Sequence, residues 1–142
     1  MDIDRNVIYP SIFEISTENI RPSDLELLNA SVGPDNARRK GPISLFGLGD
    51  DGYMIRTDGG RKSAMKREAE LESYRAEKLA EIREAGYSEE FIALYVNAWE
   101  NDCVFLSMDR DNTYVPGFPV FDHDTGEMVD DGYGNEPAKP AP

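Results

Sequence analysis

Histidine, cysteine and tryptophan occur once each in the 142 residues, as His123, Cys103 and Trp99. A single cysteine excludes an intrachain disulfide and a zinc site built on cysteines, and a single histidine excludes a multi-histidine metal centre. Any catalytic triad has to use His123, which sits in an acidic loop sequence, and a Cys103–His123 dyad runs against the apolar run that Cys103 opens. In that setting a buried, inert thiol is the expected role. No apolar run of about 18 residues occurs, so no membrane-spanning helix is predicted. The start, Met1-Asp2-Ile3-Asp4-Arg5, is too acidic for a secretory leader. These absences point to a reducing, cytoplasmic setting.

Basic residues are the next shortage, 15 Lys and Arg against 28 Asp and Glu, for a net charge of −13. The deficit is uneven. Residues 86–142 hold 12 acids against Arg110 and Lys139 alone, whereas residues 1–85 hold 16 acids against 13 bases. Such a field repels nucleic acid and anionic lipid and attracts basic protein surfaces. The hydrophobic fraction, 39%, is below the usual ~45–50%. One compact core is expected, within a single domain of residues 1–129, followed by an Asp/Gly/Pro-rich acidic tail over 130–142 that the composition predicts to be disordered.

Local signals give an α+β fold, a small antiparallel sheet of about four to six strands packed on two or three helices. Ile12–Ile15 reads as a strand, and Ser23 with Glu26 as a capping box opening a short helix to about Ala30. Ile43–Leu48 and Tyr53–Thr57 flank an Asp-Gly turn, a hairpin signal. Residues 62–85 are rich in strong helix formers and stop at Gly86. Ser88 caps a second long helix to about Asn101, the more deeply buried one, with Phe91, Ile92, Leu94, Tyr95, Ala98 and Trp99 at helical spacing. Cys103–Leu106 has strand character, Asp109–Asn112 is a turn, Thr113–Val115 a returning strand, 117–121 an extended edge and Asp124–Glu127 a turn.

Motifs that suggest chemistry lack the context it needs. Gly47-Leu48-Gly49-Asp50-Asp51-Gly52 fits a dinucleotide-binding glycine pattern, yet it leads into a strand and carries two aspartates where a pyrophosphate would sit. It is read as a hairpin turn, and no cofactor is expected. Asp109-Arg110-Asp111-Asn112 and Asp122-His123-Asp124 are rich in oxygen ligands but lack the glycine and distal glutamate of a calcium loop, so no metal is expected. Basic clusters at 38–40 and at 61, 62, 66 and 67 are read as partners for the surplus acids. Tyr114, Phe118 and Phe121 are candidates for an exposed aromatic patch.

Two segments together resemble an uncharacterised family of small plasmid- and phage-borne proteins. They are Ile15-Ser16-Thr17-Glu18-Asn19-Ile20 with the Leu-rich helix after it, and the block from Gly86 to Asp122. In that block Ala98, Leu106, Asp109-Arg110-Asp111 and Pro119-x-Phe121-Asp122 look like the family's helix, strand, aspartate turn and proline-aromatic close. The resemblance implies accessory genes of mobile elements, where small acidic proteins block host defence, and it supplies no active site.

The expectation is therefore a non-enzymatic, acidic protein-binding module directed at a basic surface of a nucleic-acid-binding host protein, with no direct nucleic-acid or membrane contact. The residues expected to meet that partner are Glu89, Glu90, Glu100, Asp109, Asp111, Tyr114, Phe118, Asp122 and Asp124. Two alternatives stand beside it, a cation-dependent hydrolase using Asp109, Asp111, Asp122 and His123, and a homo-oligomeric virion protein assembled through the charged helix at 62–85. The sequence leaves the oligomeric state open.

Overall fold

Cys103–Asp109 alternates Val104, Leu106 and Met108 on one side with Phe105, Ser107 and Asp109 on the other, so one flank of this strand is wholly apolar. In the computed structural model, which describes residues 11–32, 42–47, 52–57, 68–101, 103–112, 115 and 117–131, that strand is β4 and lies inside the sheet. The other strands are β1 (Ser11–Ser16), β2 (Ser44–Gly47) and β3 (Gly52–Arg56), in the order β1-β4-β3-β2. A separate two-stranded ribbon pairs β5 (Val120–Phe121) with β6 (Met128–Asp130).

Among the described residues three α-helices, α1 (Pro22–Ser31), α2 (Glu68–Glu84) and α3 (Glu89–Glu100), complete an α+β fold. The sheet is mixed. β2, β3 and β4 are antiparallel as expected, but β1 pairs with β4 in parallel, Phe13 opposite Leu106 and Ile15 opposite Met108. A parallel pair needs a long crossover, and here α1, the hairpin, α2 and α3 all intervene between its strands.

The core is the apolar flank of the sheet closed by the helices. Ile15, Ile55, Leu45, Leu106 and Met108 meet Leu28 of α1, Ile82 of α2 and the α3 stripe. All six α3 positions expected to be buried are buried. Phe91 lies between Tyr87 and Tyr95, and Tyr95 meets Trp99 edge-on with centroids 4.9 Å apart. Ser88 caps α3 through the Phe91 N–H. α2 ends as anticipated, with Gly86 at φ 103° and the Tyr87 N–H reaching back to the Ile82 carbonyl.

Two local readings need correction. Pro22 already starts α1, with Arg21 as an N-cap that offers no side-chain hydrogen bond, so Ser23 and Glu26 form no capping box. The capping box belongs to Ser16 and Asn19, which close a 3-10 turn over Thr17–Asn19. The extended segment near Phe121 joins the small ribbon, not the edge of the main sheet. The Asp-Gly turn at 48–51, the basic clusters at 38–40 and 61–67, residues 113 and 114 of the returning strand, and the tail from 132 lie outside the described residues.

Candidate functional site, the acidic end of the sheet

Parallel strands β1 and β4 finish side by side, Ser16 opposite Asp109, and the chain leaves both at the same end of the sheet. From β1 it enters the 3-10 turn, and from β4 it enters the Asp109 turn. Asp109 shapes that turn with its own side chain, Oδ1 accepting from the Asp111 N–H at 2.9 Å while its carbonyl accepts from the Asn112 N–H. Asn112 then donates from Nδ2 to the Ile15 carbonyl at 3.1 Å, fastening the turn to β1.

Asn19 holds the next stretch of chain. It is fully buried, accepts from the Val115 N–H at 3.0 Å and donates to the Pro119 carbonyl at 3.1 Å. One amide thus uses both its donor and acceptor sides to lash the 115–119 stretch onto the 3-10 turn. Past it, Phe121 is buried beneath the Arg21 guanidinium, 4.6 Å from ring centroid to Cζ.

A second aspartate turn sits beyond. Asp122 Oδ1 accepts from the N–H groups of Asp124 and Thr125, Gly126 takes φ 77°, and His123 Nε2 lies 3.0 Å from the Ile20 carbonyl. The two acidic turns are therefore moored at Ile15 and Ile20, on either side of the 3-10 turn. Glu18 is exposed between them. From Asp109 to Asp131 the chain carries seven carboxylates and one arginine.

A polar cluster beneath this end joins α1 to α3. Fully buried Asp24 accepts from the Ser88 N–H at 2.8 Å and from the Ser88 hydroxyl, and burial pushes its carboxyl above the usual range despite those bonds. Arg21 meets Glu90 at 2.7 Å, holding the Glu90 carboxyl below its usual range. Arg83 does the same for Glu89, also at 2.7 Å but in the open.

The expected contact residues accordingly divide. Asp109 and Asp111 stand in the turn that follows β4 at the end of the sheet, and Asp122 and Asp124 in the turn held to Ile20, with Asp111 and Asp124 exposed. Glu89 and Glu90 are near but already engaged by arginines. Glu100 is at the opposite end of α3, about 18 Å away along a 12-residue helix. Phe118 is half-buried against Phe13, centroids 5.7 Å apart, and Phe121 is not exposed, which removes it from an aromatic patch. Tyr114 lies outside the described residues.

No group of three or more His, Cys, Asp or Glu side chains is gathered to hold a metal among the described residues. Asp109, Asp111, Asp122 and His123 thus form no such set. Asp24 and Arg21 emerged from the structure alone, and Glu18 and Asn19 stood in the segment that carries the resemblance without a role of their own. Beyond that segment, the sequence signal was proximity to Ser16 and Pro22, which reads as ordinary capping.

Fold and site together define a small α+β domain with an acidic rim at the carboxyl end of its parallel strand pair. The chain belongs to a family of unknown function, DUF5983, matching its C-terminal domain over residues 12–123. No curated protein and no solved structure matches the chain. No helix among the described residues is long and apolar enough to cross a membrane.

Proposed function

We propose that this chain is a non-enzymatic, acidic protein-binding module whose rim occupies the basic, nucleic-acid-binding surface of a partner protein. On this reading it is a cytoplasmic accessory product of a phage or plasmid and an anti-defence inhibitor, of the anti-CRISPR or anti-restriction kind.

The observation that supports the reading is the pair of aspartate turns moored on either side of one 3-10 turn, at Ile15 and Ile20. A rigid display of carboxylates competes for the Lys and Arg side chains that otherwise grip phosphates, and its affinity falls with salt. Asn19, Asn112 and His123 supply the rigidity by tying each turn to β1 or to the residue just after the 3-10 turn. The acids of the rim that carry the proposal are Asp109, Asp111, Asp122 and Asp124, with Glu18 added.

Immobilised protein is offered host lysate at low and high salt, and each retained protein is challenged with duplex DNA. The proposal expects a nucleic-acid-binding protein held at low salt and displaced by DNA. Retention of no such protein, or retention indifferent to DNA, rejects it.

A further inference from the structure

Val129 is 48% exposed, one of two large hydrophobics left so among the described residues. A lone apolar side chain in water is ordinary, but the place of this one is not. The ribbon register steps from Val120–Asp130 to Phe121–Met128, so Val129 is the extra residue of a bulge and is left out of the pairing. Val120 and Phe121 are buried and Met128 is half-buried, so Val129 alone of the ribbon's apolar residues stands in solvent. The same ribbon is closed by the second aspartate turn, where the Asp122 N–H donates to the Glu127 carbonyl at 2.8 Å, and Asp124 and Glu127 of that turn are exposed.

Charge decides what can cover it. From Asp111 to Asp131 the sequence holds six carboxylates and no Lys or Arg. A second copy would bring the same acids against them and be repelled, whereas a basic surface is attracted. Ion pairs between exposed groups add little affinity each, because both partners are already well solvated. Affinity concentrates instead in apolar groups that lose their water inside a ring of polar ones. Val129, in a ribbon whose turn displays carboxylates, supplies that arrangement.

We infer that Val129 is the apolar anchor of the acidic rim, entering a hollow of the partner protein that is apolar at its centre and bordered by Lys and Arg. The anchor rests on the basic partner proposed above and specifies its surface. A groove that grips phosphates alone is uniformly basic and polar, and it would leave Val129 without a contact. A groove with an apolar hollow, such as one that also receives a base or a sugar, would bury it.

Two peptides of equal length and charge test it, one alternating Arg with Leu and the other Arg with Ser. Their affinities for the full chain are read by fluorescence anisotropy across a range of salt concentrations. Both should bind with salt-dependent affinity, the Arg–Leu peptide about tenfold tighter. Val129→Ala should lose that preference with its salt slope unchanged, and Val129→Ile should keep it. Val129→Asp separates charge from anchoring by sign, because the added acid alone would tighten the Arg–Leu peptide, whereas loss of the anchor weakens it. Circular dichroism verifies that each variant is folded. Equal affinity for the two peptides, a preference that Val129→Ala leaves intact, or tighter Arg–Leu binding by Val129→Asp overturns the anchor alone. Absence of salt-dependent binding to either peptide overturns the acidic rim together with it.

Discussion

At the scale of single residues, Asp24 and Asn19 do different things with the same burial. Both hydrogen bonds to the Asp24 carboxylate come from Ser88, while nearby Arg21 gives its guanidinium to Glu90. Burial raises the Asp24 pKa, so its contribution to stability is fully present below the ordinary carboxylate range and is lost as pH rises through the raised value. Glu90 runs the other way, because its lowered pKa gives stability above the ordinary range that is lost as pH falls through the lowered value. Asp24→Asn keeps an acceptor for Ser88 without the buried charge. Its stability relative to wild type should improve as pH rises from the ordinary carboxylate range through the raised value, as read from urea midpoints in the two proteins. A difference that is flat with pH would show that Asp24 carries no such linkage. Asn19 is neutral, and its effect is pH-independent. Asn19→Ala leaves the Val115 N–H and the Pro119 carbonyl without their partner and should cost about 2–3 kcal/mol in denaturant titrations, with the loss near constant across pH.

At the scale of elements, the hairpin and β4 are joined with no room to spare. A Cβ on Gly52 would sit 1.8 Å from the Met108 carbonyl oxygen, so the end of β3 reaches β4 only because that residue has no side chain. Gly52→Ala should destabilise by more than about 3 kcal/mol or prevent folding, whereas Gly117→Ala, where no atom lies within 4 Å of the added carbon and only the positive φ resists, should cost less. Helices α2 and α3 were legible because their signals are local: six apolar residues at helical spacing, Ser88 before them and Gly86 after the preceding helix. The hairpin strands were legible from the turn chemistry between them. Parallel pairing of β1 with β4 was not, since it joins residues some 90 positions apart and no short-range pattern encodes it. The α1 start was misread because Ser23 and Glu26 have the right spacing, but Pro22 had already fixed the helical φ one residue earlier. Phe121 looked exposed on an edge because its cover, Arg21, is a hundred residues away.

At the scale of the whole molecule, the charge imbalance of the C-terminal half was visible in the composition, but its division was not. Of the acids expected to meet a partner, Arg21 and Arg83 neutralise Glu90 and Glu89, helix geometry removes Glu100 to the far end, and those of the two aspartate turns remain. That division supplies an internal control. Affinity for the retained basic partner, measured by calorimetry as a function of salt, should fall with ionic strength in the wild type. In the combined Asp111→Asn, Asp124→Asn variant it should drop at least about tenfold, with a shallower salt slope. Glu100→Gln should bind as the wild type does. If the two rim substitutions leave both affinity and salt slope unchanged, or if Glu100→Gln weakens binding as much as they do, the acidic end of the sheet is not the surface that meets the partner.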